Sequence, residues 1–263
     1  MPAGAASPPA RLRVLDTGPG EPAFNMALDD ALLHGGGPAT LRLYGWSPAG
    51  LSLGWFQPAA PFAAVPGTHH IVRRRTGGGA IYHGDEITFA LALDAGLLPA
   101  DIAASYALVH GAVQRALTGV GVATRLLPGA GGCHRQARPA QPWCFAVPGP
   151  NDIVLAGSGR KIVGSAQRRL RQPRARVLHH GSIVLRAPGA TPFCGAVADV
   201  VPPARVEGEL RARLVRELAS ALALAPAPAP ETPTAAELRH AHASLATFTA
   251  LDAATVARRP GSA

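Results

Sequence analysis

Apolar residues recur at four-residue spacing at Phe24, Leu28 and Leu32, with Ala27 and Ala31 beside them. That pattern predicts an amphipathic helix, ended by Gly35-Gly36-Gly37. Tyr106, Val109, Val113 and Leu117 mark a second helix, stopped by Gly119 or Gly121. Leu210, Leu214, Leu218 and Leu222 mark a third, over Val206–Leu224. Between the helices lie short runs with strand character. Leu41–Tyr44 and Leu51–Trp55 flank a Ser47-Pro48-Ala49-Gly50 turn. His70–Arg74 and Ile87–Leu93 flank a glycine-rich loop, and Val177–Leu185 is a further strand. Ile153–Leu155 and Lys161–Gln167 form a hairpin around Ala156-Gly157-Ser158-Gly159. Strands that occur both in hairpins and after helices indicate an α+β class with a mixed, largely antiparallel sheet.

The pattern fades at both ends. Residues 1–10 read as a disordered tail, and 11–224 as the folded domain. Ala225–Pro230 alternates Ala and Pro, which predicts an extended linker, followed by a short helical tail over Thr234–Val256. Gly129–Pro142 lacks periodicity and is rich in Gly, Arg and Pro, so it reads as a mobile surface loop.

The 263 residues are 48% hydrophobic and only 16% charged, which supports a sizeable core and excludes global disorder. No apolar run approaches the roughly 18 residues of a membrane span, and the N-terminal stretch lacks the apolar core of a secretory signal. The expected location is the cytoplasm. Three cysteines, Cys133, Cys144 and Cys194, make no disulfide framework. The formal net charge is +9, and Lys161 is the only lysine among 25 basic residues. Where codon usage has replaced Lys by Arg so thoroughly, the surviving Lys is a candidate for work that needs a compact charge rather than a planar fork.

Four segments carry candidate chemistry. In Arg73-Arg74-Arg75-Thr76-Gly77-Gly78-Gly79-Ala80-Ile81-Tyr82-His83, the glycines permit close approach of a ligand to the main chain. A plain turn beside a solvated arginine cluster fits the same letters. In Gly159–Arg169, strand periodicity puts Lys161, Val163, Ser165 and Gln167 on one face, and Ile162, Gly164 and Ala166 on the other. His179-His180-Gly181-Ser182 lies inside a strand, as ligands or as packed residues. Cys144 precedes Lys161 by seventeen positions and is either a thiol activated by a nearby cation or a small hydrophobe. The pairs Cys133-His134, His69-His70 and His179-His180 lack zinc-type spacing, so no metal site is expected.

Taken together, these segments resemble the catalytic domain shared by lipoate–protein ligases, octanoyltransferases and biotin–protein ligases, and most closely its lipoate and octanoate branch. The likeness runs through Asn25–Leu32, Leu41–Trp46, Leu51–Gln57, Arg74–His83, Asp85–Phe89, Gly159–Arg169 and His179–Ser182, over roughly residues 21–224. The resemblance implies a tunnel for a medium-length acyl chain, walled by the glycine loop and the lysine strand. The substrate-binding residues it implies are Arg74, Arg75, Thr76, Gly77, Gly78, Gly79 and His83, with Gly164, Ser165, Ala166, His180 and Gly181. Lys161 would stabilise the acyl carbonyl.

Two reactions compete under this resemblance. An octanoyltransferase takes octanoyl from acyl carrier protein through a cysteine thioester and needs no cofactor. A ligase uses ATP and Mg to make lipoyl-AMP. The placing of Cys144-Phe145 favours the transferase, as does the length of about 40 residues after Leu224, too short for the accessory domain that single-chain ligases often carry. The triple glycine at 77–79 is the ligase-like version. The implied acceptors are lipoyl-carrier domains or the glycine-cleavage carrier protein. A basic nucleic-acid-binding module, read from Arg168–Arg176, is the remote alternative: no recognised module accompanies it, aromatics are 5%, and acidic carriers suit the same charge.

Overall fold

The computed structural model describes residues 10–62, 65, 70–129 and 142–248. Eleven strands and four α-helices follow in order: β1 (Arg11–Gly20), α1 (Pro22–His34), β2 (Thr40–Trp46), β3 (Gly50–Leu53), β4 (Ile71–Arg73), β5 (Ile81–His83), β6 (Glu86–Asp94), α2 (Ile102–Gly119), β7 (Thr124–Leu126), β8 (Ile153–Leu155), β9 (Lys161–Leu170), β10 (Arg176–Val184), α3 (Pro203–Ala221), β11 (Ala225–Pro226) and α4 (Ala235–Phe248). Eight strands form one sheet in the order β11-β1-β2-β6-β10-β9-β8-β7, and β4-β3-β5 form a second. Among the described strands, the β1 pairings with β2 and β11 and the β3–β4 pairing are parallel, and the other ladders are antiparallel. The expected α+β class with a largely antiparallel sheet is what forms.

The large sheet buries both faces. Residues such as Leu41, Leu43, Phe89, Leu91, Val177 and Ile183 point to one side, where α2 and the Leu210-Leu214-Leu218 stripe of α3 cover them. The alternate residues, Tyr44, Trp46, Ala90 and Leu178, point to the other, where α1 and α4 cover them. Asp101 caps α2 by accepting from the Ala104 nitrogen at 2.7 Å.

The Ala/Pro stretch after α3 is extended, but it is not free. Ala225 and Pro226 pair in parallel with β1, and Glu231 bridges Leu15. A proline is tolerated there because the strand is at the sheet edge. Glu231 also pairs with Arg11 at 2.8 Å. Thr234 and Glu237 then form a reciprocal capping box that starts α4. The expected helical tail is realised as Ala235–Phe248 and seats Ala241 and Phe248 against α1. Residues 1–9, the segment 130–141 and the positions beyond 248 lie outside the described residues. Among those described, no helix is long and apolar enough to cross a membrane.

Candidate active site

The lysine strand departs from regular alternation at its first turn. Ile153 of β8 faces Val163, yet the next residue, Val154, faces Lys161, so β9 carries an extra residue there. Ile162 and Val163 both enter the core beneath α2 and α3. Lys161 is thereby swung from the face expected for it, with Val163 and Ser165, to the face of Gly164 and Ala166. A Cβ on Gly164 would lie 2.8 Å from the Lys161 Cε. The bulge thus places the ammonium over the cleft side of the sheet, and glycine at 164 gives it room.

Lys161 is 4% exposed and fully engaged. Its Nζ sits 2.8 Å from Asp152 Oδ2, 3.1 Å from the Cys144 carbonyl oxygen and 3.5 Å from Cys144 Sγ. The ring of Phe145 lies beneath it, 5.2 Å from Nζ. Burial alone would depress the ammonium, but the Cys144 and Asp152 charges outweigh it and raise the Lys161 pKa. The residue is therefore a cation at neutral pH, held against a sulfur.

Cys144 is positioned by the glycine loop. The Ala80 nitrogen donates to the Pro142 carbonyl at 2.7 Å, and the Cys144 nitrogen donates to the Ala80 carbonyl at 2.9 Å. Gly79 lies against this segment, because a Cβ there would meet the Cys144 nitrogen at 2.7 Å. Its glycine thus serves the cysteine rather than a ligand. Gly78 has φ +96°, a left-handed conformation that favours glycine. Arg74 is buried and spends its guanidinium on the Ser52, Gly77 and Gly79 carbonyls at 2.7 to 3.0 Å. It moulds the loop. Arg75 turns away, pairing with Asp30 at 3.4 Å and stacking near Trp55 and Phe248.

A narrow cleft with an accessible volume of about 40 Å³ opens beside Cys144. Met26, Tyr44, Trp46 and Ile81 supply an apolar wall, and Gly77, Gly78, Gly164 and Ala166 bring bare or nearly bare backbone to it. His83 and His180 close its floor, each anchored by a carboxylate. His83 Nδ1 lies 2.9 Å from Glu86, its Nε2 lies 2.7 Å from Ser52 Oγ, and its ring stacks on Trp46. His180 Nδ1 lies 3.3 Å from Asp29, and its Nε2 lies 2.8 Å from the Thr76 hydroxyl. Asp29 also accepts from Arg42 and Tyr44 at 2.8 Å. Its carboxyl stays below the ordinary range although burial works in the opposite direction.

Two expected ligand residues, Ser165 and Gly181, line the cleft and are also tied to the α2 side of the sheet. Ser165 sends its hydroxyl to the α2 side, 2.6 Å from His110 Nε2 and 2.8 Å from His179 Nε2. A Cβ on Gly181 would strike Phe89 and Ser165 on that same side, so this glycine serves packing. Cys194 is buried against Phe145, Val184 and Ala196, and burial pushes its thiol up to about 11. Cys133 and His134 lie outside the described residues.

Asp152, Asp29 and Glu86 complete the site and went unremarked in the sequence. Asp85-Glu86 sits in a quoted motif, and Asn25–Leu32 contains Asp29, which is a usable signal. Asp152 had none, because only the bulge brings Lys161 to it.

The model of the Lipoyl protein ligase A/B catalytic domain matches residues 21–198. An octanoyltransferase LipM of Kyrpidia tusciae is 39% identical over 184 residues, covering 66% of this chain and 65% of the relative. The LipM of Moorella thermoacetica is 37% identical over 187 residues, covering 67% and 66%. That of Bacillus subtilis is 32% identical over 185 residues, covering 66% and 65%. The chain thus matches just under two thirds of the length of these relatives. Among solved structures, lipoate-protein ligase A bound with ATP gives a TM-score of 0.69 at 24% identity, over 90% of this chain and 94% of that one. A bi-partite lipoate protein ligase of Thermoplasma acidophilum gives 0.67 at 22%, over 91% and 93%. These likenesses establish a shared fold.

Proposed function

We propose that this chain, which belongs to the Lipoyl protein ligase A/B catalytic domain family, is an octanoyltransferase that works through a thioester on Cys144. The observation that carries the reading is the 3.5 Å approach of the Lys161 ammonium to Cys144 Sγ at the wall of the cleft. Similarity to LipM octanoyltransferases supports it.

The Cys144 thiolate attacks the carbonyl of an octanoyl thioester on acyl carrier protein. The carbon–sulfur bond to the carrier breaks, and the carrier leaves as a thiolate that takes up a proton. The acceptor lysine of a lipoyl-carrier domain, or of the glycine-cleavage carrier protein, then attacks the enzyme thioester as a free amine. Cys144 departs, and the amine's proton is released. In both steps the tetrahedral oxyanion gains from the fixed positive charge of Lys161, an effect worth about 10² to 10³ in rate. Asp152 and the Cys144 carbonyl fix that charge before substrate arrives. Met26, Tyr44, Trp46 and Ile81 suit an alkyl chain. No ATP, Mg or other cofactor enters this scheme, and it places the enzyme in the cytoplasm with its carriers. The catalytic unit extends over residues 11–224, with β11 joined at the sheet edge and α4 packed against α1.

ATP-dependent lipoate ligation is the second reading, and the triple glycine at 77–79 favours it. Brief incubation with octanoyl-acyl carrier protein, without acceptor, separates the two. Intact mass should rise by one octanoyl group, lost in Cys144→Ala and cleared by neutral hydroxylamine. No adduct, together with ATP-dependent lipoylation by Cys144→Ser at the normal rate, would replace the transferase with the ligase.

A further inference from the structure

A buried carboxylate outside the cleft lacks a hydrogen-bond partner. Asp30 of α1 is 5% exposed, and among the described residues its Oδ1 makes no hydrogen bond. Leaving such a group unmatched carries a penalty, so buried exceptions point to a ligand or an ion. Two histidines face it from the solvent side. His34 lies one turn further along α1, with Nδ1 3.5 Å from Asp30 Oδ1. His240 reaches across from α4, with Nε2 4.0 Å from Asp30 Oδ2. One ligand atom from each of the three residues lies within 4.8 Å of the other two. The two imidazoles stack nearly parallel, 13° apart.

We propose that Asp30, His34 and His240 bind a divalent transition-metal ion, zinc in the first instance, which clasps α4 to α1. Tetrahedral ligation with bonds of about 2.1 Å puts ligand atoms about 3.4 Å apart. One ligand atom of each residue lies within 4.8 Å of the other two, so rotations of the two half-exposed imidazoles bring the set to that spacing. The His34 Nδ1 lies 2.9 Å from the Asp30 carbonyl oxygen and donates to it when the ring is neutral. That tautomer leaves Nε2 as the free lone pair, in the manner of metal-bound histidines whose other nitrogen is held by a carbonyl. Two imidazoles and one carboxylate select a transition metal over calcium or magnesium, with the remaining positions left to water.

The nearest competing charge is Arg75, whose Nε lies 3.4 Å from Asp30 Oδ1. Its guanidinium has other partners, lying 5.3 Å from the centre of the Trp55 ring and 5.1 Å from that of Phe248. It can therefore yield the carboxylate edge to an ion without being stranded. Spacing in the sequence gave no hint of this group, because His240 is 206 positions from His34 (240 − 34) and meets it only through the packing of the tail helix. The clasp is independent of which acyl reaction the cleft performs.

The test uses the untagged full chain carrying Cys133→Ser and Cys144→Ser, so that these thiols do not compete for metal. Calorimetric titration with Zn²⁺ should show one saturable site per chain. Co²⁺ should give the intense visible absorption of a four-coordinate nitrogen and oxygen site. His34→Ala and His240→Ala replace exposed side chains, so both variants should keep the parental circular dichroism. Each should weaken binding by more than about tenfold, since losing a ligand exceeds losing an outer hydrogen-bond partner. Asp30→Asn should weaken it likewise. Absence of a saturable site, or the parental affinity in the His34→Ala/His240→Ala double variant, would overturn the proposal.

Discussion

The side chain that Gly79 lacks would lie 2.7 Å from the backbone nitrogen of Cys144 and 2.9 Å from the Pro142 carbonyl oxygen. The third glycine of the loop is thus a seat for the candidate nucleophile. Gly79→Ala should push the 142–144 segment outward and draw Sγ away from Lys161. Displacements of this size at a reacting centre reduce rates about 10²-fold. Octanoyl loading of Cys144 should fall by about that factor, while the thermal midpoint drops by only a few degrees. Loading at the parental rate would show that the segment moves freely and that the seat has no role.

Lys161→Arg should fail in the same assay, although charge is conserved. The ammonium occupies a 4% exposed site bounded by Gly164, Phe145 and Asp152. A planar guanidinium cannot fit there as a point charge. Loss of the oxyanion partner predicts a reduction of about 10² to 10³ in acyl transfer. Parental transfer rates in this variant would remove Lys161 from the mechanism.

The Asp152–Lys161 pair makes a prediction in pH. Burial lowers the Lys161 pKa, and Cys144 and Asp152 together more than reverse it. In Asp152→Asn the burial effect loses one of its two opponents, so the ammonium gives up its proton at lower pH. The alkaline limb of the transfer rate should therefore shift to lower pH in the variant, with the acid limb less affected. An alkaline limb that stays in place would show that Asp152 does not hold the charge.

His110 and His179 make a prediction about stability. Burial depresses both, and neighbouring positive charges and imidazoles lower His179 further. The folded protein therefore resists protonating them, while the unfolded chain takes up protons at about pH 6.5. Below that point the unfolded state binds more protons, so stability falls with falling pH. This window lies above the one in which Asp29 and Glu86, whose pKa values are lowered, lose their charge. The thermal midpoint should decline between about pH 7 and pH 5.5, and the slope should be roughly halved in His179→Leu even if that variant is less stable throughout. An unchanged slope would show that His179 does not contribute.

Much of this arrangement was legible in the sequence because it is local. The four-residue leucine spacing gave α3, and the glycine loop and lysine strand gave two walls of the cleft. What escaped depends on contacts between distant segments. Strand alternation assigned Lys161 to the face of Ser165, and a single extra residue reversed it. The Ala/Pro stretch carries the composition of a linker, yet β1 offered an unpaired edge that it could join. Arg74, expected among the ligand residues, lines the cleft, but its hold on the loop carbonyls depends on burial that its sequence neighbours do not reveal. Alternation and composition describe a segment by itself, and these three cases were decided by its neighbours.

The two described thiols should differ sharply in reactivity. Cys194 is buried among Phe145, Val184 and Ala196, and its thiol is held up to about 11, so at pH 7.5 almost none is thiolate. Cys144 is half-exposed, lines the cleft and receives a hydrogen bond from a buried ammonium. Iodoacetamide at pH 7.5 should therefore modify Cys144 within minutes and leave Cys194 intact until the protein is unfolded. Peptide mapping after a timed quench reads both sites at once. Prior octanoylation should protect Cys144, and Lys161→Met should slow its alkylation by removing the adjacent positive charge. Equal labelling of the two cysteines in the folded protein would contradict the assigned environments, and alkylation of Cys144 at the parental rate in Lys161→Met would mean that the ammonium does not activate it.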